Sequence, residues 1–203
     1  MLRLASSSGW AHDDSCRVLL RRRGQPQYFS ISFSLANISA RANPPPWCSR
    51  DAVFEWAGRN DAKFTLDLKN GFDFDRAVFE RTRELVEHYG LIERAQFIGW
   101  DHAAVRALKQ ANPALTTRVL LRGRPVDLVE SVRASCADAV SLSYDLASRA
   151  DVAALHDADI AVVVADLFEP DFARVVELGA DALSWGDPIA AIRELKRLGA
   201  RGK

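Results

Sequence analysis

Asp67 and Lys69 stand two residues apart in the stretch Phe64-Thr65-Leu66-Asp67-Leu68-Lys69-Asn70. On a strand, residues i and i+2 share a face, so the acid and the base point the same way while Leu66 and Leu68 line the other face. Two charges on one strand face are costly to bury unless they meet partners, a metal or a ligand. Further along the chain, apolar runs end in Trp100-Asp101-His102, in Arg122, in Tyr144-Asp145, in Asp166 and in Trp185-Gly186-Asp187. A ring of carboxylates with Lys69 and Arg122 suits an oxygen-loving metal ion together with a phosphate. Each member also has a plainer reading. Asp67 and Lys69 would serve as an exposed strand end, Asp101, Asp145 and Asp187 as helix N-caps, and Arg122 as a solvent-facing side chain. His88 and His156 fall in helical patterns, and His102 falls in the first turn of a helix.

The elements that would hold these residues alternate regularly from Ser49 onward. Ser49 can cap a helix through Asp51–Ala57, and Asp73 or Asp75 opens a longer amphipathic helix with Val78, Leu85, Val86 and Tyr89 on its apolar side, stopped by Gly90. Strands are expected around Leu66 and over 95–99, 117–121, 139–143, 160–165 and 181–185, with helices starting near Asp101, Pro125, Ser148, Glu169 and Pro188. A short strand and a crossover helix every 20 or so residues means parallel strands with helices outside. Six such units in tandem fit an α/β fold of the (β/α)8 barrel type, incomplete by two units, better than an open sheet. In that architecture the C-terminal ends of the strands ring a common mouth, where the residues named above would gather.

Residues 1–48 differ in character: an irregular N-terminal segment holding a possible hairpin. Arg17–Leu20 and Tyr28–Leu35 read as strands, the second with Phe29, Ile31, Phe33 and Leu35 alternating against serines. The run Arg21-Arg22-Arg23 before Gly24 reads as a solvated turn. Residues 49–203 make up the partial barrel.

Composition narrows the partners. The chain has 203 residues, 48% of them hydrophobic, enough for one sizeable core. Lysine plus arginine and aspartate plus glutamate are equal at 27 each, which argues against a phosphate-tracking surface and therefore against nucleic acid. Cys16, Cys48 and Cys136 are widely spaced and odd in number, as free thiols in a reducing compartment would be. No apolar run approaches the roughly 20 residues of a membrane span, and the expected location is cytoplasmic.

Three blocks carry a resemblance. Leu66-Asp67-Leu68-Lys69 resembles the acid-apolar-Lys strand of the glycerophosphodiester phosphodiesterase family. Phe97-Ile-Gly-Trp-Asp101-His102, followed by Leu108-Lys109-Gln-Ala-Asn-Pro113, is similar to the family's next strand and its leucine, basic and proline tail. Leu178-Gly179-Ala-Asp181 through Asp187-Pro188 looks like its ending. The blocks keep the family's order over about residues 49–198. The resemblance implies metal-dependent hydrolysis of a small-molecule glycerophosphodiester to glycerol phosphate and an alcohol. By the same resemblance Asp67 is a ligand to Mg²⁺ or Ca²⁺, and Lys69 offsets charge on the phosphoryl oxygens. Two histidines serve as acid and base. His12-Asp13 falls at the family's distance upstream for one of them.

Departures from the family pattern are large. The opening strands ending in His-Arg-Gly and Glu-x-Asp are absent, and Val163-Val164-Ala165-Asp166 stands where the family has an aromatic closing the pocket. Arg122 and Trp185 are the nearby residues that would contact substrate instead. The alternative reading is a non-catalytic remnant of the same barrel, self-associating if its edges stay open. A third reading, another phosphate-binding barrel of small-molecule metabolism, has only Gly179 and Gly186 to support a phosphate loop.

Overall fold

A computed structural model describes residues 16–19, 28–34, 50–59, 63–68, 76–165 and 169–200. The sheet has eight strands in sequence order: β1 (Cys16–Leu19), β2 (Tyr28–Ser34), β3 (Phe64–Leu68), β4 (Ala95–Gly99), β5 (Thr116–Leu121), β6 (Ala139–Ser143), β7 (Ala161–Ala165) and β8 (Ala182–Leu183). β1 pairs antiparallel with β2, and every later neighbour is parallel. Helices α1 (Arg50–Arg59), α2 (Arg76–His88), α3 (His102–Ala111), α4 (Leu128–Arg133), α5 (Arg149–Asp157), α6 (Phe172–Leu178) and α7 (Pro188–Arg197) intervene. Strands β2 to β8 all run parallel, and β3 to β8 are the six that the sequence pattern implies for an incomplete (β/α)8 barrel. At the far end β1 comes up against β8 and α7. The hairpin thus lies between β3 and the far end of the sheet, with no backbone ladder between β1 and β8 among the described residues, and its presence there weakens the exposed-edge argument for self-association.

The strands alternate between two environments. Phe64, Leu66, Ala95 and Phe97 join Phe54 and Ala57 of α1, Leu85 and Val86 of α2 and Leu108 of α3 in one apolar cluster. Val119, Val140, Leu142, Val162, Val164 and Leu183 join the later helices in a second. These residues form the seam between sheet and helices, and each large one contributes on the order of 1.5–3 kcal/mol by leaving water. By strand alternation, Thr65, Asp67, Gln96, Ile98, Arg118, Leu120 and Ser141 face the barrel interior.

Helix starts follow side-chain caps. Asp101 Oδ1 accepts from the amides of Ala103 and Ala104 at 3.0 Å. Asp127, Ser148, Asp171 and Asp187 cap α4, α5, α6 and α7 in the same way. The cap explains two shifts from the expected boundaries: α4 begins after Asp127 and not near Pro125, and α6 after Asp171 and not near Glu169. Gly90 and Gly179 take positive φ, 64° and 74°, where the chain turns out of α2 and α6.

Two matching devices tie the opposite face of the barrel together. Lys109, in the last turn of α3, reaches both oxygens of Asp138 at 2.7 and 2.9 Å, and Asp138 accepts from the Thr117 amide at 2.7 Å. His156, in the last turn of α5, meets Asp181 at 2.8 Å, and Asp181 accepts from the Val162 amide at 2.8 Å. In each case an acid just before a strand satisfies the neighbouring strand's first amides and anchors a helix end. Lys109 and Asp181 belong to the blocks that carry the family resemblance, so those blocks report on barrel construction. Among the described residues, no helix is long and apolar enough to cross a membrane.

Candidate active site at the barrel mouth

Asp67 lies one residue from the end of β3, on the inner face, with 2% of its surface exposed. The register places it level with Ser34 of β2 on one side and with Ile98 of β4 on the other. Ile98 is in turn level with Arg118 of β5. An acid and a base therefore occupy one cross-strand row of the interior, on either side of an isoleucine. Arg118 is fully buried. Barrel interiors are normally filled with branched apolar side chains, so this half of the interior is unusually polar, with Thr65 and Ser141 also buried. Ser141 Oγ and Gln96 Oε1 are buried and meet no hydrogen-bond partner among the described residues. Oxygens so placed ordinarily receive a bond from water or ligand.

Above this row lies the rim. Trp100 follows β4 and Arg122 follows β5, and the Arg122 guanidinium sits 4.6 Å from the centre of the Trp100 ring. His102 donates from Nε2 to the Leu120 carbonyl at 3.2 Å, which ties the start of α3 to β5. Tyr144 follows β6, is covered by the Arg174 guanidinium at 4.5 Å, and passes its carbonyl to Arg174 Nη2 at 3.3 Å. Trp185 follows β8 and packs edge-on against Phe172 at 5.2 Å. Arg124 holds Asp151 through two bonds, of 2.6 and 3.2 Å, and Ser148 Oγ donates to the same carboxylate at 2.6 Å.

The Arg124 guanidinium, and secondarily Ser148, hold the Asp151 carboxyl below its ordinary range, against the opposing effect of burial. A carboxyl whose folded value is depressed stabilises the fold above its unfolded value, about 3.9, and that contribution disappears as pH falls through the folded value. Thermal melts are therefore expected to be flat above about pH 5 and to fall below about pH 4. Arg124→Gln should flatten the acid-side drop; an unchanged profile would remove Asp151 from the account.

The sequence-predicted site residues fare unequally. Asp67 is inward and buried, while Arg122 and Trp185 stand at strand ends on the rim. His12, Lys69 and Asp166 lie outside the described residues. Asp101 and Asp187 are helix caps. Arg118 was not singled out from sequence; its signal was a charge in the middle of the apolar run Thr117-Arg118-Val119-Leu120-Leu121. A Mg²⁺ or Ca²⁺ ion takes six or more oxygen ligands. Among the described residues no three of His, Cys, Asp and Glu come together as a ligand set. Those residues by themselves do not fit the cation that the resemblance implies.

No family model matches the chain, and no curated protein sequence does either. Solved structures do match. A Galdieria sulphuraria protein named as a glycerophosphodiester phosphodiesterase superposes with a TM-score of 0.67 at 23% identity, over 81% of this chain and 70% of that one. A Silicibacter pomeroyi protein named as a glycerophosphoryl diester phosphodiesterase gives 0.66 at 20%, over 76% and 58%. An Oleispira antarctica phosphodiesterase, solved with its product sn-glycerol-3-phosphate, gives 0.60 at 14%, over 71% and 60%. The chain thus spans about three fifths of the length of the latter two. At these identities the likeness is one of fold, and in fold the chain is an incomplete (β/α)8 barrel of the kind found in glycerophosphodiester phosphodiesterase structures.

Proposed function

We propose that the chain binds and hydrolyses small glycerophosphodiesters at the mouth of this barrel. The observation that carries the reading is the position of Asp67: a buried carboxylate on the inner face at the C-terminal end of β3, with Lys69 two residues on. In this reading Asp67 is one carboxylate toward the cation that the resemblance implies, which would need further oxygen ligands beyond the described residues. Lys69 offsets charge on the phosphoryl oxygens, where a fixed cation is most effective in a site closed to water. His12 exchanges protons with the attacking water or the leaving alcohol, a role imidazole fills near neutral pH. β1 runs against its neighbours and points its N-terminal end toward the mouth, which supports that assignment. Arg122 and Trp185 contact the part of the substrate that extends across the rim.

The test is release of glycerol phosphate from glycerophosphocholine by the purified chain, with Mg²⁺, with Ca²⁺ and with chelator. Turnover lost in chelator supports a metal-dependent phosphodiesterase. A folded sample without turnover in any condition supports the second reading, a barrel of this fold that has lost catalysis. The use of Asp101 and Asp187 as helix caps favours that second reading, because it withdraws two carboxylates from the mouth.

A further inference from the structure

We infer that Trp100 and Arg122 form an anion platform that reads the alcohol half of the diester and favours substrates carrying a second negative group there. The inference rests on the diester-binding reading above. Arg122 lies over the Trp100 ring, and among the described residues it forms no ion pair. The two other rim arginines considered above have partners, Arg124 in Asp151 and Arg174 in the Tyr144 carbonyl. A guanidinium held over an indole by a cation–π contact is kept in place by the ring and retains N–H donors for phosphate or carboxylate. Stacking also covers one face of Trp100, an indole 39% exposed, and places a positive charge where a quaternary ammonium would otherwise rest. The platform therefore attracts an anion and repels a choline-like cation.

Its position selects the alcohol end. Asp67 is on β3 and Arg122 follows β5, with β4 between them. Strands spaced about 4.8 Å apart put the two strand ends roughly 10 Å from each other, farther than one phosphate spans. A phosphoryl group held at the end of β3 leaves Arg122 to meet the far end of the alcohol. The favoured class is a glycerophosphodiester whose alcohol bears its own phosphate or carboxylate.

Calorimetric binding of glycerophosphoinositol 4-phosphate and of glycerophosphocholine, with turnover of both followed in parallel, separates the possibilities. The expected result is affinity at least about tenfold higher for the bis-anionic ligand, the effect of one charge-assisted hydrogen-bonding group. Arg122→Gln should bring the ratio close to one, and Trp100→Leu should reduce it with the melting temperature unchanged. Equal affinities in the native chain, or a ratio unmoved by Arg122→Gln, would overturn the inference. A ratio that behaves as expected without turnover leaves the platform standing and removes the hydrolase reading. Failure of both ligands to bind at millimolar concentration removes both.

Discussion

Asp67→Asn is expected to lower glycerophosphodiester hydrolysis on the order of 10²–10³-fold while shifting the melting temperature by no more than about 4 °C. The substitution keeps the shape of the side chain and deletes its charge, at a position that is 2% exposed and shares a row with Arg118. Residues that serve a site are often ones the fold would be content to lose, so a large kinetic loss beside a small stability change is the signature of a functional carboxylate. The opposite pattern, intact turnover with a collapse in stability, would make Asp67 a structural partner inside the barrel. Steady-state kinetics and a thermal melt on the same preparation decide between them. Rescue of either loss by a second substitution at Arg118 would identify the two charges as coupled.

Arg118→Ala is expected to destabilise the barrel by about 2–5 kcal/mol in urea unfolding, the range found when a large, fully enclosed side chain is truncated. Arg118 is completely enclosed in the middle of β5, so its truncation both opens a void and changes the charge of the row containing Asp67. Arg118→Met, which refills most of the volume without charge, separates the two effects. If packing dominates, Met recovers most of the loss; if charge dominates, Met remains close to Ala. An alanine variant within about 1 kcal/mol of the native chain would mean that the interior closes without Arg118.

The barrel was legible in the sequence because its construction signals are local. Phe97, Leu108 and Val119 fall on the periodicities that create the sheet–helix seam, and Asp101, Ser148 and Asp187 announce helix starts. The two capping offsets, at Asp127 and Asp171, arise because Pro125 and Glu169 mark only the approach to a helix, and the first side chain able to accept the orphan amides comes later. The interior was less legible. Strand periodicity assigns Arg118 to a face but does not say that the face is closed to water; that depends on strands brought together from across the chain. The pairing of Arg124 with Asp151 was hidden for the same reason, since the two are 27 residues apart, one in the loop after β5 and the other in the first turn of α5. Strand pattern alone likewise did not show β1 and β2 bridging the interval between β8 and β3, because the register that decides it is set by the partner strands.

That bridging has a kinetic consequence. Each strand pairs with its neighbour in sequence, but β1, at residues 16–19, also comes up against β8, at residues 182–183. The entropy lost in closing so long a loop is recovered only when these two ends meet, although each doubling of loop length adds only about 0.6 kcal/mol. Contacts of this separation form late in folding, and the segments that make them open first. The seam between β1 and β8 should therefore exchange its amide hydrogens sooner than β4 to β7, so that the barrel breathes along one line while its parallel strands remain paired.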